Sequence, residues 1–116
     1  MATSTLPLNR FRLIGVKLNS GDNTIYQENL EVATIILSCQ ISNMTGTTQY
    51  VTVKIEKVDD IGNPFTLVKD APIPAKEALN PFTGKIVLEK GDKLIFTTDN
   101  TGTLETVLSV LENAIN

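Results

Sequence analysis

Apolar side chains return at every second residue through much of this chain, and a period of two describes a β-strand with one wet and one dry face. In 49-QYVTVKIEKV-58, Val51, Val53 and Ile55 share one parity while Thr52, Lys54 and Glu56 take the other. The same pattern predicts strands at 10-RFRLIGVKLN-19, 85-KIVLEK-90 and 94-LIFTTD-99, where Leu94, Phe96 and Thr98 fall on one side. Shorter extended pieces are expected at 24-TIYQE-28 and 65-FTLVKD-70. In 31-EVATIILSCQISN-43 the alternation groups Ile35, Leu37, Cys39 and Ile41, with Ile36 opposite, and the length suits a central strand. Gly15, inside the first run, is a candidate β-bulge.

Turn chemistry separates these runs. The segments 19-NSGDN-23, 43-NMTGTTQ-49, 58-VDDIGNP-64, 90-KGDK-93 and 99-DNTG-102 are rich in Gly, Asn, Asp and Thr. The 43–49 turn is expected to join its flanking strands as an antiparallel hairpin, and Gly91-Asp92 to return the chain to the same sheet. Pro72 and Pro74 cannot donate ladder hydrogen bonds, so their segment belongs at an edge or in a crossing between sheets. The last run, 103-TLETVLSVLENAIN-116, fits both a helix, through Leu104, Val107, Leu108, Leu111 and Ile115, and a strand buried on both faces. The surrounding strands favour the strand reading, closing a sheet edge, and the helix stays as its alternative.

These elements predict an all-β chain, a single antiparallel β-sandwich of jelly-roll or immunoglobulin-like type with about seven or eight strands. With 116 residues and no low-complexity linker, one domain is expected at 10–116, preceded by an N-terminal arm at 1–9. The start, MATSTLPLNR, has no basic segment followed by a long apolar stretch, and so reads as neither signal peptide nor membrane anchor.

Composition argues against most chemistries. A net charge of −3 offers no basic footprint for nucleic acid, and the absence of Trp, with aromatics at only 5%, leaves little to stack against bases or sugars. Histidine is absent, which removes the commonest general base and metal ligand. No phosphate-binding glycine loop and no cysteine pair spaced for zinc occurs. The carboxylate pairs Asp59-Asp60 and Glu89/Asp92, and Asp22 in SGDN, lie in turns where Asp hydrogen-bonds its own backbone, and none has the spacing of a calcium loop. The lone Cys39 sits in an apolar run and reads as a small buried hydrophobe. Tyr26 and Tyr50 suit half-buried strand positions, and 43-NMT-45 is a glycosylation acceptor pattern that matters only in a secreted chain. No catalytic, cofactor-binding or metal-ligating residue is nominated, and no enzymatic activity is expected.

Three motifs, taken in order, resemble those of small virion structural proteins of tailed bacteriophages. They are Pro72-Ile73-Pro74-Ala75, then Leu88-Glu89-Lys90-Gly91-Asp92-Lys93-Leu94, and the ending Leu111-Glu112. The likeness runs from about residue 30 to residue 112, with 80-NPFTG-84 and 113-NAIN-116 as departures. It implies a non-enzymatic β-sandwich made in the host cytoplasm. In the virion it would pack against other proteins at the capsid, neck or tail, as a homo-oligomer without nucleic acid, membrane or cofactor. A tail- or fibre-associated carbohydrate- or host-binding module is the alternative, with Phe65 and Phe82 as its only loop aromatics.

Overall fold

The computed structural model describes residues 8–27 and 32–114. Residues 1–7 of the expected arm, and 115–116 at the other end, lie outside the described residues, while Leu8 and Asn9 already belong to the first strand. Among the described residues nine strands follow in order: β1 (Leu8–Lys17), β2 (Gly21–Gln27), β3 (Val32–Asn43), β4 (Gln49–Glu56), β5 (Phe65–Ile73), β6 (Ala78–Leu79), β7 (Ile86–Leu88), β8 (Lys93–Thr98) and β9 (Leu104–Ala114). A single 3₁₀ turn, Val58–Asp60, lies between β4 and β5.

Every pairing is antiparallel. One sheet has the order β1-β9-β3-β6, with β7 also on β3, and the other has β2-β8-β4-β5. β6 and β7 occupy one edge in succession, β6 opposite Ile41 and Ser42 and β7 opposite Thr34 to Ile36. Counted as one broken strand they leave eight positions. The chain then changes sheet at every connection except β4 to β5, which is the jelly-roll order. The all-β sandwich is therefore as expected, and of the two topologies considered it is the jelly roll.

The core fills from both inner faces. Leu104, Leu108 and Val110 of β9 and Ile36, Cys39 and Ile41 of β3 face Val51 and Val53 of β4 and Leu94 and Phe96 of β8. Cys39 is buried, with its Sγ 3.6 Å from Thr106 Oγ1, and burial pushes its thiol up to about 11, so it behaves as the small hydrophobe its run suggested.

Five expectations change. The 43–49 segment is no hairpin turn, because β3 and β4 lie in different sheets. Asn43 holds that crossing: its buried amide donates to the carbonyls of Thr47 at 2.7 Å, Ile73 at 2.9 Å and Pro74 at 3.3 Å, while its Oδ1 accepts from Thr45 N. The side chain of the 43-NMT-45 pattern is thus engaged inside the fold. Likewise Gly91-Asp92 carries the chain from β7 across to β8 in the opposite sheet.

The other three changes concern register and strand position. In β3 one residue, Leu37, lies between Ile36, the partner of Val110, and Ser38, the partner of Ser109, and this bulge resets the alternation. Ile36 therefore points into the core, with Cys39 and Ile41, and Ile35 faces outward. Gly15, by contrast, lies in an unbroken ladder from Leu8 to Lys17. β9 is a strand, as favoured, but it lies between β1 and β3 rather than at an edge, and only its even-numbered side is buried.

Gly91 has φ +88°, and a Cβ there would lie 2.6 Å from Val58 Cγ2; Gly62, at φ +94°, meets nothing. Gly62→Ala is therefore expected to cost about 1 kcal/mol from left-handed strain alone. Gly91→Ala should cost clearly more in urea unfolding, because Val58 must also move; equal losses would show that the contact is relieved without cost.

Candidate interaction surface

The carboxylates nominated by sequence resolve into structural roles. Asp60 caps its own turn, its carbonyl accepting from Asn63 N at 3.2 Å and its Oδ1 from Asn63 Nδ2 at 2.9 Å. Asp22 lies on the outer face of the second sheet, accepting from Thr97 Oγ1 at 2.6 Å and sitting 3.6 Å from Lys54 Nζ. The Thr97 hydroxyl contributes most to its lowered pKa. Glu89 and Asp92 do meet, but around Lys57 Nζ, at 2.8 and 3.2 Å. Asp92 is buried and also accepts from Val58 N at 3.1 Å and Glu89 N at 3.0 Å. Burial raises its pKa, and the two backbone amides with Lys57 outweigh that, leaving it lowered. The result is a staple between the 3₁₀ turn and the β7–β8 crossing.

A second polar cluster was not foreseen. Glu112 of β9 is 4% exposed, yet it is ionised against three donors. Arg10 reaches its Oε1 through Nη2 at 2.6 Å and Nε at 2.9 Å, Arg12 Nη1 reaches Oε2 at 3.0 Å, and the Tyr26 hydroxyl donates to Oε2. Tyr26 also lies 3.0 Å from Thr34 Oγ1, so the cluster ties β1, β9 and β3 of one sheet to β2 of the other. Its sequence signal is a parity clash: Glu112 follows Leu104, Leu108 and Val110 on the buried side of β9, and Arg10 and Arg12 take the same side of β1. Burial raises the Glu112 pKa, and hydrogen bonds from Tyr26, Arg10 and Arg12 with the charge of Arg10 more than offset it, so the carboxyl ionises below its usual range.

The two outer faces differ. That of the second sheet is wet and charged, carrying Thr52, Thr97, the Lys54–Asp22 pair and, at 3.9 Å, the Lys93–Glu56 pair. Across the first sheet, Phe11, Leu111, Ile35 and Val87 stand opposite one another in register and form one row over four strands. Phe11 and Leu13 are each 73% exposed, and Val87 and Val107 are exposed beside them. Ser38, Gln40 and Ser109 continue this face, Arg12 and Lys85 stand at its margins, and an ion pair, Lys17–Glu105 at 3.9 Å, lies at its end. An uncharged apolar stripe left in water is the mark of a packing surface. Of the sequence-nominated aromatics, Phe65 is exposed at the start of β5, Tyr50 is exposed on β4, Tyr26 is buried in the Glu112 cluster, and Phe82 packs against the core.

Fold and surface together define an antiparallel jelly-roll domain whose polar clusters hold structure and whose largest uncommitted feature is an apolar sheet face. No protein-family model matches the sequence, nor does any curated protein. Among solved structures, the chain is similar to a subunit of the disulfide-linked pili of Bacillus endospore appendages, at 11% identity and TM-score 0.59, covering 100% of this chain and 97% of that one. It also overlays the Drosophila NLP core (13% identity, TM-score 0.48, 94% and 98% covered) and a chain of infectious bursal disease virus Gx strain (10%, 0.47, 98% and 39%). At such identities the first likeness is one of fold alone.

Because the folded pKa of Glu112 is depressed, its contribution is present at neutral pH and drains away as the pH falls through the ordinary carboxylate range. Glu112→Gln is expected to lose about 2 kcal/mol at pH 7 in urea unfolding, and the deficit should shrink toward pH 3. A deficit constant with pH would remove the charge from this account.

Proposed function

We propose that this chain is a non-enzymatic structural subunit of a bacteriophage virion, a capsid decoration or cement protein or a head-neck component. It packs against other virion proteins through the outer face of the β1-β9-β3-β7 sheet. The observation that carries the reading is the uncharged row Phe11, Leu111, Ile35 and Val87, laid across a rigid sheet and left in solvent. The ordered motifs at 72–75, 88–94 and 111–112, which resemble those of small tailed-phage virion proteins, support the phage context. The jelly roll suits assembly, and the Bacillus appendage subunit that shares it forms pili.

In this reading the folded unit begins at Leu8, the first residue of β1, and residues 1–7 are an arm that adds contacts. The chain is made in the host cytoplasm and repeated as a homo-oligomer in a symmetric particle, and it engages neither nucleic acid nor membrane. A carbohydrate- or host-binding module is less well supported, because Phe82 packs on the core and leaves Phe65 without an aromatic neighbour for a sugar platform.

Quantitative mass spectrometry of purified particles tests this directly. A copy number near that of the major capsid protein is expected for a decoration protein, and a far lower one for a neck component. Absence from particles overturns the proposal. Val87→Lys should fold normally yet be excluded from particles, since Val87 is exposed on the stripe.

A further inference from the structure

The four edges of the sandwich are not alike. β5 carries Pro72, two register shifts against β4 and Asp70 at φ +49°. β2 has a register shift between Thr24 and Tyr26. The β6/β7 edge is broken into pieces of two and three residues. Prolines, bulges and short strands are the usual devices that stop an edge from pairing. β1 has none of them: it runs ten residues in unbroken register with β9, contains no proline and, among the described residues, has no strand on its other side.

Gly15 is a second, independent observation. It sits inside β1 with no bulge and no positive φ, and a Cβ built there meets nothing within 4 Å. Glycine in a strand interior weakens the strand and often marks a place where another backbone or side chain approaches closely. Four residues away stands Phe11, 73% exposed on the same face.

We infer that β1 pairs antiparallel with β1 of a second copy of this chain about a two-fold axis at Leu13. Residues directly opposite in an antiparallel pair lie on the same face, so only registers joining odd positions to odd positions continue the sheet. Centring on Arg12 sets Arg12 against its own copy, and centring on Phe11 sets Arg10 against Arg12. Both place like charges opposite one another. Centring on Ile14 shortens the ladder and puts Phe11 against Lys17. Centring on Leu13 pairs Asn9 through Lys17 in full, sets Arg10 opposite Val16 and Arg12 opposite Ile14, and lays Phe11 over the partner's Gly15. An aromatic ring covering a cross-strand glycine is a known way to fill such a gap. The pairing joins the two apolar rows into one face and satisfies the free edge of each copy.

This names the partner for one margin of the surface on which the proposed function rests, but it concerns the purified chain. Its failure leaves particle composition untouched, and absence from particles leaves the dimer untouched. Sedimentation equilibrium of the full chain should show a monomer–dimer equilibrium, weakened at least about tenfold by Leu13→Lys, which opposes two charges on the axis. Gly15→Val is the sharper test. Valine favours strands, so at dilutions where the chain is monomeric unfolding should be unchanged or harder, while dimerisation is lost because the seat of Phe11 is filled. Directly opposed Cβ atoms lie about 4.5–5.5 Å apart, so Leu13→Cys should oxidise to a covalent dimer and Ile61→Cys, exposed elsewhere, should not. A chain that stays monomeric at every concentration, or a dimer indifferent to both Gly15→Val and Leu13→Lys, overturns the inference.

Discussion

The pairing of β9 between β1 and β3 is the constraint on which the rest of the structure depends. The eleven residues of β9 supply the middle of one sheet, so without them β1 has no ladder and β3 has only its short pairings with β6 and β7. The partners are distant: Arg10 and Glu112, which meet across β1 and β9, are 102 positions apart. Such closure exacts loop entropy before it returns contact energy, which makes the fold non-local throughout. The inward side of β9 then furnishes Leu104, Leu108 and Val110 to the core, and Glu112 fastens both sheets through Tyr26 and the two arginines.

The same strand shows where function divides from support. Leu111 faces outward into the apolar row while its neighbour Glu112 faces inward into the buried cluster. In the motif at 88–94, Gly91 admits Val58 and Asp92 binds two backbone amides. In the motif at 72–75, Ile73 is fully buried and its carbonyl accepts from Asn43. The residues of these motifs are chiefly scaffold residues. Of the apolar row on the outer face, Leu111 belongs to the last of those motifs, while Phe11, Ile35 and Val87 belong to none.

Strand positions were legible in the sequence because each has its own period of two, and Val51 with Val53, or Leu94 with Phe96, needed nothing else to declare a buried side. Sheet membership was not legible. Alternation says which residues share a face and nothing about which strand lies alongside, so β3 and β4 looked like a hairpin although Asn43 sends the chain across the sandwich. The phase of β3 was misjudged because a bulge at Leu37 adds a residue that hydrophobicity alone does not mark. The Glu112 cluster was hidden for a related reason: its charges pair across the whole chain, and only the broken parity of β1 and β9 hints at it.

The central claim is that this domain acts through the free edge and outer face of the β1-containing sheet. Amide hydrogen exchange, followed residue by residue in the dilute chain and in its assembled form, tests it most directly. The account predicts that protection gained on assembly is concentrated in residues 9–17, whose outward amides lack a strand partner in the isolated fold. Protection gained instead at the 58–64 and 99–103 loops, with β1 exchanging as before, would contradict it.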